Sequence, residues 1–104
     1  AKHLVAAAAK TEIADGIACR IPNEQALGHI LAGVSRITEV DDAEVKQAMR
    51  DLFECTHNAA EGAGAASVAA VRKDAEKLNG SKVAAILSGG NVDRDVFARV
   101  LQGV

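Results

Sequence analysis

At 104 residues, with a net charge of −2 and a pI near 5.9, the chain is large enough for one domain and lacks the basic balance of an electrostatic nucleic-acid binder. It contains no apolar stretch of about 18 residues, so no membrane-spanning helix is expected. Its hydrophobic share of 49% leans on alanine, and Phe53 and Phe97 are its only aromatics. A core built this way buries little area per residue, which predicts a segment that packs against something else.

The opening Ala1-Lys2-His3-Leu4-Val5 and the alanines after it have the outline of a short signal peptide. The apolar stretch is short, and Lys10, Glu12 and Asp15 follow at once, which argues against one. Residues 1–22 read as irregular or extended, with Asp15-Gly16 as a turn. Pro22 and the cap residue Asn23 then predict a helix from Glu24 to Val34, on the spacing of Ala26, Leu27, Ile30, Leu31 and Val34. Arg36 to Val40 reads as a short strand.

Asp41 or Asp42 is expected to cap the clearest helix, which runs to about Cys55, and Asp41-Asp42-Ala43-Glu44 is a loose capping box. Val45, Met49, Leu52 and Phe53 form one stripe, to be buried. A run of small residues around Glu61 leads into a helix from roughly Ala63 to Leu78, stopped at Asn79-Gly80. Lys82 to Leu87 reads as a strand buried on both faces, Ser88-Gly89-Gly90-Asn91 as a turn, and Asp93 to about Gln102 as the last helix. The order predicts an α/β fold, a mostly parallel sheet with flanking helices, incomplete on its own because two strands cannot make a covered sheet.

Three places invite a functional reading. The Ser88-Gly89-Gly90-Asn91 turn lies between an apolar run and a helix, where α/β proteins collect ligands, phosphate or a heteroaromatic ring among them. The same residues also suit a tight turn that simply needs glycine. Without GxGxxG or a GK[ST] ending, it is neither a dinucleotide fingerprint nor a P-loop. Glu61, set among Ala and Gly, is either an exposed helix-start acid or a partly buried carboxylate facing a pocket. His57-Asn58 is either polar pocket lining or a solvated helix end. The mixed charges Arg72, Lys73, Asp74, Glu76 and Lys77 predict a solvated helix face. Cys19 and Cys55 lack CxxC spacing and are expected to be reduced, partly buried thiols of a cytoplasmic protein. The isolated histidines His3, His29 and His57 give no metal-site pattern.

Taken together, Ile13-Ala14-Asp15-Gly16-Ile17-Ala18, Ala60-Glu61-Gly62-Ala63-Gly64-Ala65-Ala66 and Leu87-Ser88-Gly89-Gly90-Asn91-Val92-Asp93 resemble, in this order, the threonine dehydratase and serine racemase family of fold-type II pyridoxal-phosphate (PLP) enzymes. Ile37 to Val45 is similar to that family's strand-to-helix segment, so the resemblance covers about residues 11 to 101. It implies that Ser88 hydrogen-bonds the pyridine nitrogen of PLP and that Glu61 lies beside the cofactor ring and substrate. It further implies that Gly16 lines the cofactor on its other side and that Asn91, with Gly89 and Gly90, shapes the turn. In the racemase branch, the equivalent of Asn91 also touches a nucleotide effector, but His57 stands where that site has a lysine.

The cofactor-bearing lysine, the substrate loop and the phosphate cradle of such enzymes lie upstream, and Lys2, Lys10, Lys46, Lys73, Lys77 and Lys82 match no such motif. The resemblance therefore implies a C-terminal fragment, residues 1–104, of the larger PLP-binding domain of a threonine (serine) dehydratase. Such an enzyme converts an amino-acid substrate to a 2-oxo acid and ammonia, as a homo-oligomer when intact. The fragment's partner is the remainder of its own chain, it is expected to be inactive alone, and neither nucleic acid nor membrane is a partner. The rivals are serine racemase or hydroxyaspartate dehydratase on the same scaffold, and a non-catalytic binding module.

Overall fold

The computed structural model describes residues 3–104, so the first two residues of the opening that has the outline of a signal peptide fall outside the described residues. Its elements are a short 3-10 helix, Asp15–Ile17, and four α-helices: α1 (Glu24–Gly33), α2 (Asp42–Thr56), α3 (Gly62–Lys73) and α4 (Arg94–Gln102).

The core is the meeting of α2 and α3, with α4 laid against α2 and the 3-10 helix against α3. Val45, Ala48 and Met49 of α2 are fully buried against Ala60, Ala65 and Ala69, and Val100 of α4 closes the cluster. The alanines of α3 bring the two helices close, and the flexible Met49 fills the space between them. Phe53 and Phe97 meet edge to face at 5.6 Å, although Phe53 stays 40% exposed at the end of its stripe. Arg50 donates to the Val100 carbonyl at 3.0 Å, which also accepts from the Gly103 N–H at 3.1 Å, and so ties α2 to the last turn of α4.

The helix starts follow their cap residues. Asn23 accepts from the Ala26 N–H at 3.1 Å. Asp41 accepts from the Glu44 N–H at 2.8 Å while the Glu44 carboxylate accepts from the Asp41 N–H at 2.8 Å, a complete capping box. The helix α1 buries none of its residues and touches none of the other helices.

The α/β expectation is overturned: among the described residues there are helices and no strand. A strand exists only where a neighbour takes its N–H and C=O groups in a ladder. Neither Arg36–Val40 nor Lys82–Leu87 has such a neighbour. The second segment receives one cross-chain bond, from the Ser67 hydroxyl to the Ile86 carbonyl at 2.8 Å. Ile37 and Ile86 stand 75% and 77% exposed, so these runs form apolar surface rather than a sheet interior.

The mixed charge cluster is not uniformly a solvated face either. Asp74 is buried and accepts from Lys77 at 2.8 Å, Thr38 at 2.8 Å and Arg36 at 3.1 Å, which fastens the 36–38 segment to the end of α3. At the other end of the core, Asp42 accepts from the Thr11 hydroxyl at 2.5 Å and the Glu12 N–H at 2.8 Å, and holds the N-terminal segment on α2.

Both carboxyls titrate low. Partial burial works to raise the Asp42 pKa, but the Glu12 N–H, the Thr11 hydroxyl and the Lys46 charge together outweigh it. The Lys77 ammonium, followed by the Thr38 hydroxyl and opposed by burial, holds Asp74 well below the usual carboxylate range, with Arg36 adding to the effect. Folded values below the unfolded value of about 3.9 mean that these contacts stabilise fully above that pH and lose their contribution as pH falls through the folded values. In an acid titration followed by amide NMR, the Glu12 and Ala14 signals are expected to hold steady down to about pH 4 and move only below it. Movement of both amides by about pH 6 would show that Asp42 does not hold this segment.

Candidate cofactor site

Close backbone approaches assemble the site from three segments. Gly62, in the first turn of α3, touches the Ile13 carbonyl, and a Cβ there would overlap it. Gly64, one residue further along the same helix than Ala63, faces the Gly89 carbonyl in the same way, and a Cβ on Gly90 would lie 2.5 Å from the Ala59 carbonyl oxygen. The Glu61 N–H donates to the Gly89 carbonyl at 3.1 Å. Only residues without a side chain let the 13–16 segment, the start of α3 and the 88–91 turn come this near.

Glu61 sits at the N-cap of α3, yet its side chain makes no capping bond. Its Oε1 lies 2.5 Å from where a Cβ of Gly89 would stand and 4.0 Å from where a Cβ of Gly16 would stand. One carboxylate oxygen thus lies close against Gly89 and near Gly16, half-buried, beside the positive end of a helix.

Gly16, Glu61 and Gly89, expected in one site from sequence, are brought together. Asn91 shares with Glu61 a cleft of about 310 Å3 that is also lined by Glu12, Asp15 and Asp93. Ser88 flanks Gly89, is exposed, and its hydroxyl makes no hydrogen bond among the described residues. His57 and Asn58 serve local ends. His57 closes α2 in the left-handed conformation (φ 59°) with its ring 6.5 Å from that of Phe53, and Asn58 bonds the Thr56 hydroxyl at 2.9 Å. Cys19 and Cys55 are free and exposed rather than partly buried. Glu12 and Asp93 were not singled out by sequence, since neither stands in a pattern that marks a cleft.

The chain belongs to the family described as pyridoxal-phosphate dependent enzymes, whose pattern matches residues 1–89. Within that family it is 36% identical over 92 residues to the L-threonine ammonia-lyase of Thermotoga maritima, covering 88% of this chain and 23% of that protein. It is 37% identical over 93 residues to the L-threonine dehydratase catabolic TdcB of Staphylococcus aureus, covering 86% of this chain and 27% of that protein. It is also 32% identical over 91 residues to the L-threo-3-hydroxyaspartate ammonia-lyase of a Pseudomonas species, covering 88% of this chain and 28% of that protein. The chain spans about a quarter of the length of the curated relatives it matches.

The cofactor of the family is pyridoxal phosphate. The residues fit its ring rather than its phosphate. The space beside Gly16 and Gly89 is taken up by Ala63 and Glu61, and the exposed Ser88 hydroxyl next to them suits a ring nitrogen. The cleft lining of Glu12, Asp15, Glu61 and Asp93 would repel a phosphate. No helix among the described residues is long and apolar enough to cross a membrane.

Proposed function

We propose that the chain is the C-terminal segment of the larger PLP-binding domain of a threonine (serine) dehydratase and forms one wall of the pocket around the cofactor ring. The observation that carries this is the convergence of Gly16, Glu61 and Gly89, beside Ser88, in a chain of the PLP-dependent family. When bound, the cofactor withdraws electrons from the substrate's α-carbon. Ser88 would donate its hydroxyl to the pyridine nitrogen. A hydroxyl cannot keep that nitrogen protonated as an aspartate would, which makes the ring a weaker electron sink and suits elimination of a β-hydroxyl. Glu61 would stand beside ring and substrate, Gly16 and Gly89 would line the cofactor with their backbones, and Asn91 would hold the end of the turn.

The reaction removes the α-proton and the β-hydroxyl of threonine or serine as water. Water then returns to release ammonia and leave a 2-oxo acid. The intact enzyme is a homo-oligomer acting in the cytoplasm, where separate, free thiols such as Cys19 and Cys55 are stable. Hydroxyaspartate is the second substrate class, given the similarity to the Pseudomonas ammonia-lyase.

The test is to purify the full-length parent polypeptide with PLP and offer it threonine, serine and threo-3-hydroxyaspartate. Formation of a 2-oxo acid with equimolar ammonia from threonine or serine is the expected result. Conversion of L-serine to D-serine in place of elimination would establish the racemase instead. Absence of both reactions with PLP bound would refute the enzyme assignment and leave a binding module.

A further inference from the structure

The Glu61 carboxylate lies near two glycines of the cofactor site, and each of these packs on a residue that itself has no place at the cofactor. Gly89 lies against one side of Oε1, and behind Gly89 stands Gly64, whose missing side chain leaves room for the Gly89 carbonyl and whose Cβ would lie 3.0 Å from the Gly89 nitrogen. Gly16 turns one face both to this oxygen, 4.0 Å from where a Gly16 Cβ would be, and to the Ala63 methyl, 3.1 Å from the same point. Ala63 and Gly64 are consecutive in the first turn of α3, the helix that Glu61 itself caps. The backbone of Glu61 is tied to the same unit through its N–H bond to the Gly89 carbonyl.

We propose that Ala63 and Gly64 are positioning residues for Glu61. Ala63 sets the depth of Gly16 and Gly64 sets the depth of Gly89, and the two glycine backbones confine the carboxylate between them. This rests on the assignment of Glu61 to the cofactor site. The sizes required are opposite at the two positions. A methyl is needed at 63 to support Gly16, and no side chain is tolerated at 64 because Gly89 must sit against the helix. Rigid packing of this kind fixes a functional group whose misplacement by about 1 Å costs on the order of 100-fold in rate.

The experiment uses the full-length holoenzyme and compares Gly64→Ala, Ala63→Gly and Glu61→Ala, each alone and with Glu61→Ala combined with either of the others. The measurements are kcat per bound cofactor, KM, and the visible circular dichroism of the cofactor. Gly64→Ala is expected to lower kcat on the order of 10- to 100-fold, and Ala63→Gly less, with both altering the dichroism. Neither is expected to lower kcat further once Glu61 is alanine, because side chains that act as a unit are not additive. Gly28→Ala in α1, where a new Cβ meets nothing within 4 Å, should behave as the parent.

Ala63→Gly removes atoms and creates no overlap, so it decides the matter if Gly64→Ala yields no soluble holoenzyme. A lowered melting temperature with kcat and dichroism unchanged would overturn the proposal, as would an equal loss of kcat with and without Glu61. If Glu61→Ala itself matches the parent, the cofactor-site assignment fails, an outcome distinct from failure of the brace alone.

Discussion

Mixed with PLP and threonine, the 104-residue chain alone is expected to form no 2-oxo acid above the rate of free cofactor. An enzyme of this class depends on an amine that carries the cofactor covalently and then moves the substrate's α-proton. That amine must reach the pocket that the proposed wall would help to form. Among the described residues, no lysine lines the cleft that Glu61 and Asn91 share. Lys73 is paired with Glu44 at 3.0 Å and Lys77 with Asp74 at 2.8 Å. Lys46 lies on α2 beside Arg99, in a separate pocket of about 230 Å3. Positioned proton transfer is worth on the order of 100- to 10,000-fold, and proximity far more, so losing the amine removes nearly all catalysis. The measurement is 2-oxo acid release combined with borohydride reduction and mass spectrometry. A stoichiometric cofactor–lysine adduct accompanied by turnover would contradict the expectation.

The helices were the legible part of this fold. Local chemistry decides where a helix starts, and Asn23 and Asp41 cap the starts of α1 and α2, while Asp93 stands at the start of α4 without a side-chain capping bond. Ends were harder to place. The pattern carries α3 on to Leu78, but the helix stops at Lys73. There Asp74 is drawn inward by Arg36 and Thr38, partners 38 and 36 residues away that no local pattern reveals. Residues 74–80 then continue as turns to Gly80, whose φ of +77° needs glycine.

The strands failed for a related reason. Val83-Ala84-Ala85-Ile86-Leu87 carries the apolar content of a buried strand, but burial requires a neighbour, and composition does not supply one. The helix α1 shows the same gap, because a good cap and helical spacing produced a helix with nothing packed on it. The nearness of the candidate residues was easier to anticipate than the fold around them. Glu61, Gly16 and Gly89 stood out as a carboxylate among small residues and as glycines in turns. The resemblance gave them a common purpose, and the structure places them side by side. The support given by Ala63 and Gly64 was not visible, because alanine and glycine in a helix start look alike until something is seen pressed against them.

Replacing Ser88 by alanine in the full-length enzyme is expected to slow elimination while leaving the covalent attachment of the cofactor intact. The Ser88 hydroxyl is free of partners among the described residues and flanks Gly89, which packs on Glu61, so it is available to a ring nitrogen admitted at this turn. In the proposed contact, its removal leaves the ring nitrogen, enclosed by the rest of the full-length enzyme, without a donor, which typically costs about 1–3 kcal/mol. Applied to the reacting state, that cost corresponds to a loss of roughly 5- to 150-fold in rate. Affinity for PLP should fall less than it would on loss of the phosphate contacts, since the hydroxyl contributes one bond to one edge of the ring. Ser88→Asp pulls in the other direction. A carboxylate favours a protonated ring, strengthens the electron sink, and is expected to divert or stall the elimination rather than merely slow it. Steady-state 2-oxo acid formation from threonine, measured beside a PLP titration, separates these outcomes. If Ser88→Ala equals the parent in both rate and cofactor affinity, the hydroxyl does not touch the ring, and the 88–91 turn must be reassigned from cofactor contact to a tight turn between an apolar segment and α4.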